Sequence, residues 1–93
     1  MKAMLKYSLQ TGQNILHIPG GLNNNARVDH QPGQQASLQL WTLVDDTLPI
    51  VEECVYVAVT GEPLPVGHSY YNLGTVLLHG GAFVLHALHV TKD

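Results

Sequence analysis

Apolar residues in this chain alternate with polar ones or run in short blocks, and turn signals separate the blocks. A period of two belongs to β-strands, whose successive side chains point to opposite faces of a sheet; an amphipathic helix repeats about every 3.6 residues. The pattern predicts seven strands: Ala3 to Leu9, Asn14 to Ile18, Ala26 to Gln31, Ser37 to Val44, Glu53 to Thr60, Tyr70 to Leu78 and Ala82 to Val90. Between them stand Gly12, Pro19-Gly20-Gly21, Pro32-Gly33, the stretch from Asp45-Asp46 to Pro49, and Gly61-Glu62-Pro63. Glycine reaches positive φ, proline withholds a ladder donor, and aspartate side chains accept hydrogen bonds in turns. Tyr70 to Val90 holds two apolar strands hinged on Gly80-Gly81, the pattern of an antiparallel hairpin.

The same alternation sorts faces. Leu38, Leu40, Thr42 and Val44 share one side of the fourth strand, with Gln39, Trp41 and Leu43 on the other. Val55, Val57 and Val59 oppose Cys54, Tyr56, Ala58 and Thr60. Strands apolar on both sides are central, with one face in the core and the other covered by a second layer or another subunit. An all-β domain over residues 1–93 follows, a small antiparallel β-sandwich or partly open barrel. The stretch Gly20 to Arg27, poor in apolar residues, is expected to be a mobile loop.

Charged residues make up 12 % of the chain, against about 25 % in ordinary domains, so a homo-oligomer is expected. Its seam is placed on the last hairpin, around Val76, Leu78, Phe83 and Leu85. The net charge is −3, and Lys2, Lys6, Arg27 and Lys92 do not cluster in sequence, which disfavours duplex nucleic acid. The single cysteine, Cys54, forbids an internal disulfide and sits in an apolar strand as an inert thiol. The opening MKAMLKYSLQ lacks the apolar core of a signal peptide, and no stretch approaches a membrane span; a soluble cytoplasmic protein is expected.

Several segments, in order, resemble a family of small phage-encoded proteins of unknown function. They are Leu5-Lys6-Tyr7-Ser8-Leu9, Ile18-Pro19-Gly20, Trp41-Thr42-Leu43-Val44-Asp45, Thr60-Gly61-Glu62-Pro63, Gly74-Thr75, Gly80-Gly81 and Val84-Leu85-His86. Two departures stand out: Pro65 to Ser69 has the look of an extra loop, and Glu62 stands where the family pattern has His. The resemblance implies a compact β fold and a viral origin, and brings no established activity.

No reaction motif emerges. His86 and His89 are three apart and point to opposite faces of a strand, while His17, His30, His68 and His79 are scattered, so no metal site is expected. His79-Gly80-Gly81 resembles the oxyanion loop of some esterases, yet no Gly-x-Ser-x-Gly elbow accompanies it. Asp45-Asp46 and Glu52-Glu53 are read as solvated turn and edge acids, and Gly20-Gly21 lacks the Lys-Ser/Thr and helix of a phosphate loop. Trp41 and Tyr56 are assigned to core packing. Tyr70 and Tyr71 occupy adjacent strand positions, so one faces outward as a contact residue, and Arg27 is the only guanidinium available for a phosphate.

The expectation for function is a non-enzymatic phage accessory protein, without cofactor, that blocks or sequesters a host-defence component. That component is a protein or a small anionic nucleotide signal, the latter held by Arg27 with Tyr70 or Tyr71. The alternatives are a structural or assembly component of the virion and a small hydrolase.

Overall fold

The computed structural model describes residues 1–30, 38–78 and 83–92. Seven strands form: β1 (Lys2–Leu9), β2 (Gly12–Pro19), β3 (Arg27–His30), β4 (Leu38–Asp45), β5 (Ile50–Val59), β6 (His68–Leu78) and β7 (Phe83–Lys92). All pairings are antiparallel. Each expected strand is present, with ends that coincide or are shifted by up to three residues. Gln31, the Pro32-Gly33 turn, Ser37, His79, the Gly80-Gly81 hinge and Ala82 lie outside the described residues. Among those that are described there is no helix, hence none long and apolar enough to cross a membrane.

Two sheets result, ordered β1-β4-β3 and β2-β5-β7-β6. Among the described residues no ladder joins β3 to β6 or β1 to β2, so the strands form a sandwich rather than a closed barrel. Its smallest dimension is 19 Å, which suits two sheets about 10 Å apart with outward side chains. β6 and β7 pair as the hairpin pattern requires, the ladder ending with Leu78 opposite Phe83.

The core lies between the sheets. Leu38, Leu40 and Val44 of β4 are buried together with Val55 and Val57 of β5, Leu16 and Ile18 of β2, and Ala87 of β7. Ile18, Leu40, Val55 and Val57 are wholly inaccessible, each contributing roughly 1.5–3 kcal/mol of burial free energy. Along one side the sandwich narrows where β6 meets β3. A Cβ on Gly74 would stand 3.4 Å from Val28 Cβ, and the adjacent register shift between Asn72 and Gly74 inserts Leu73 against the core.

Several side chains depart from their expected places. Val76 and Leu85, assigned to a seam between copies, are 7 % and 6 % exposed and belong to this chain's own core, because their alternating set faces the other sheet. Trp41, expected in the core, belongs to the outward set of β4 and is 37 % exposed; the interior takes the slimmer Leu, Thr and Val set. Tyr56 is half-buried on the outer face of β5, where its hydroxyl donates to Glu62 Oε1 at 2.7 Å. Across the same face Tyr70 donates its hydroxyl to Pro65 O at 2.5 Å, so the connection after β5 folds back over the sheet. β6 already begins at His68, shortening the loop read over Pro65 to Ser69.

Candidate functional site

The loop joining β2 to β3 borders a cleft of about 400 Å³. The sequence of this loop suggested mobility; in the structure its backbone is tied to the strands at several points. Gly20 N donates to Pro49 O at 2.8 Å, Gly21 N to Ile18 O at 3.0 Å, and Asn23 Nδ2 to Leu43 O at 2.8 Å. Leu22 N donates to Glu53 Oε2 at 2.7 Å, and the Leu22 side chain packs against the core. Polar residues here hold the backbone instead of freeing it.

The second glycine of this loop bears directly on the site. Gly21 has φ +77°, and a Cβ there would lie 3.0 Å from Glu53 Oε2. The missing side chain lets the carboxylate approach the loop backbone closely.

Glu53 is the hub of the site. Beyond accepting from Leu22, its Oε1 lies 3.3 Å from His89 Nε2 of β7, and the two side chains are only 17 % and 20 % exposed. A carboxylate acceptor favours the tautomer with hydrogen on Nε2. Glu53 was expected to be a solvated edge acid; its neighbour Glu52 does match that description, being 69 % exposed and 3.8 Å from the equally exposed His17. The signal that separates them lay in the sequence: Glu53 belongs to the same alternating set as Val55 and Val57. An acid in an inward-facing set calls for a partner.

Arg27 opens β3 at the rim of the cleft. Its Nη1 donates to Asn24 O at 3.1 Å and Ala26 O at 2.9 Å, which fixes the guanidinium against the loop. Nε and Nη2 have no partner among the described residues. From the opposite wall come Tyr71 and Asn72 of β6 and His89 of β7. Tyr71 is 58 % exposed, its ring centroid 6.4 Å from that of His89 and tilted 47° to it.

Of the three residues expected to contact ligand, the structure brings Arg27 and Tyr71 to one cleft and excludes Tyr70. Adjacent strand positions face opposite ways, and Tyr70 lines a smaller depression on the outer face with Cys54 and Tyr56. Burial pushes the Cys54 thiol pKa up, and donation to the Glu62 carboxylate raises that of the Tyr56 phenol. His86 is on that face too, its ring nitrogens 2.7 Å from Thr60 Oγ1 and 3.2 Å from Thr75 Oγ1, so His86 and His89 do face apart. Among the described residues no three His, Cys, Asp or Glu side chains converge as metal ligands would.

Residues 1–93 match a family described only as a domain of unknown function. The chain belongs to the DUF7352 family. No curated protein and no solved structure matches it. An uncharacterised family agrees with what the sequence resemblance implied, and functional inference falls to the cleft.

Proposed function

We propose that this protein is a non-enzymatic binding protein that captures a small anionic ligand bearing a planar ring, of nucleotide type, in the cleft bordered by the β2–β3 loop, the start of β3 and β6. The observation that carries this reading is the convergence of Arg27 and Tyr71, 44 residues apart in sequence, on one cleft. A guanidinium whose Nε and Nη2 meet no partner among the described residues suits phosphate, and an exposed tyrosine ring suits a base. His89, oriented by Glu53, adds a nitrogen donor or acceptor, and the Asn24 and Asn72 side chains border the same space. Pinning of the loop supports the reading energetically, since a preorganised rim loses little entropy on binding. Together with the resemblance to small phage proteins, the role is sequestration of a nucleotide signal of host defence.

Calorimetry with the four ribonucleoside 5′-monophosphates tests this. At least one should bind the wild type, and Arg27→Ala should weaken it roughly 10- to 100-fold, the equivalent of one charge-assisted hydrogen bond of about 1.5–3 kcal/mol. Urea unfolding of the variant controls for loss of structure. Absence of binding by all four, or an affinity indifferent to Arg27→Ala in a folded variant, would refute the reading.

A further inference from the structure

Beyond Arg27, outside the cleft, the outer face of its own sheet continues the row. In sheet register Arg27 of β3 stands directly opposite Trp41 of β4, and Trp41 directly opposite Lys6 of β1. Directly opposed residues have Cβ atoms about 5 Å apart on the same face of a sheet. The neighbouring row, Tyr7, Leu40 and Val28, packs in or against the core, so Lys6, Trp41 and Arg27 form a row on the outer face. Lys6 Nζ lies 5.5 Å from the centre of the Trp41 ring. Lys2, Lys6 and Arg27, three of the four Lys and Arg residues of a chain whose net charge is −3, belong to this one sheet.

Arg27 therefore belongs to two surfaces at once. On one side of it is Tyr71, across the cleft; on the other is Trp41, exposed and flanked by a second cation. Two aromatic platforms on either side of one guanidinium match a ligand with two bases joined through a phosphate. A mononucleotide would use half of this arrangement.

Resting on the cleft reading above, we propose that the ligand is a dinucleotide unit straddling β3. Its phosphodiester meets Arg27, one base stacks on Tyr71 and the other on Trp41, and Lys6 neutralises a further phosphate beside the Trp41 ring. Base stacking on an aromatic side chain tolerates any base, so these platforms select for the spacing of two bases and leave base identity to the cleft. The unit occurs both as a free dinucleotide and within a single strand.

Trp41 is the only tryptophan in the chain, so its emission reports on this platform alone. The four ribonucleoside 5′-monophosphates and the four corresponding 5′-phosphorylated homodinucleotides are titrated by calorimetry and by tryptophan fluorescence. A dinucleotide should bind about 10- to 100-fold more tightly than its monophosphate and quench Trp41, while the monophosphate leaves the emission unchanged. Trp41→Ala should bring the dinucleotide down to the affinity of the monophosphate, whose own binding it spares; Tyr71→Ala should weaken both. An eight-residue homo-oligomer of the preferred base that binds still more tightly would identify a single strand as the source, and equal or weaker binding a free dinucleotide.

Equal affinities with unquenched emission would overturn the two-platform proposal and leave the cleft reading standing. Quenching by the monophosphate would overturn it as well, by placing the first base on Trp41. Failure of every probe to bind would remove the cleft reading and this proposal together. The wild-type fluorescence arm keeps the test decisive should Trp41→Ala misfold.

Discussion

Glu53→Ala is the sharpest test of how the site is built. The carboxylate accepts from Leu22 N at 2.7 Å and from His89 Nε2 at 3.3 Å, in a setting where both side chains are about four-fifths buried. A hydrogen bond to a charged acceptor contributes about 1.5–3 kcal/mol; the short Leu22 bond belongs in that range and the longer His89 contact below it. Truncation removes both and leaves a shielded backbone N–H without its acceptor, so a loss of about 2–4 kcal/mol is expected. With a urea m-value of about 1–1.5 kcal/mol/M for a domain of this size, the unfolding midpoint should fall by roughly 2 M with m unchanged. Glu53→Gln keeps an oxygen for Leu22 and loses the charge, so it should lose about half as much. Hydrogen exchange supplies a local readout: the Leu22 amide should lose its protection in Glu53→Ala. A midpoint shift below about 0.3 M would refute the claim that Glu53 anchors the loop, and binding losses in loop variants would then need another cause.

Three further outcomes follow from the structure. Gly21→Ala should cost about 1–3 kcal/mol, since it combines positive φ with a Cβ 3.0 Å from Glu53 Oε2; Gly12→Ala, at φ +90° with open space, should cost only the conformational share of about 1 kcal/mol, and equal costs in urea melts would contradict the steric argument. Thr42 is wholly buried and its Oγ1 has no hydrogen-bond partner among the described residues, so the near-isosteric Thr42→Val should raise stability by about 1 kcal/mol; a destabilised variant would mean the hydroxyl has a partner. Burial raises the Cys54 pKa and so favours the neutral thiol, which means that near pH 8 the folded chain should react with a thiol reagent more slowly than the urea-unfolded chain, the gap closing as pH rises; equal rates would count against that environment.

Strand content was legible in the sequence because a period of two is a local property. Each segment from Lys2–Leu9 to Phe83–Lys92 announces its own alternation, and glycine, proline and aspartate mark most of the breaks wherever the chain has yet to find its partners. The same local reasoning set Tyr70 against Tyr71 and His86 against His89. Alternation says which residues share a face and leaves open which face turns inward, a choice made by the second sheet. Trp41 points out and Val76 and Leu85 point in because the sandwich interior, about 10 Å deep, accepts the slimmer side chains. Pairing order is likewise non-local. β4 between β1 and β3 aligns Lys6, Trp41 and Arg27 in one row, and β7 beside β5 carries His89 to Glu53, although nothing near any of these residues in sequence indicates its neighbour. The sequence by itself determined the strands and the two faces of each. Tertiary structure alone decided which faces meet, and with that the union of Arg27, Tyr71 and His89 around one cleft, with Glu53 bonded to His89.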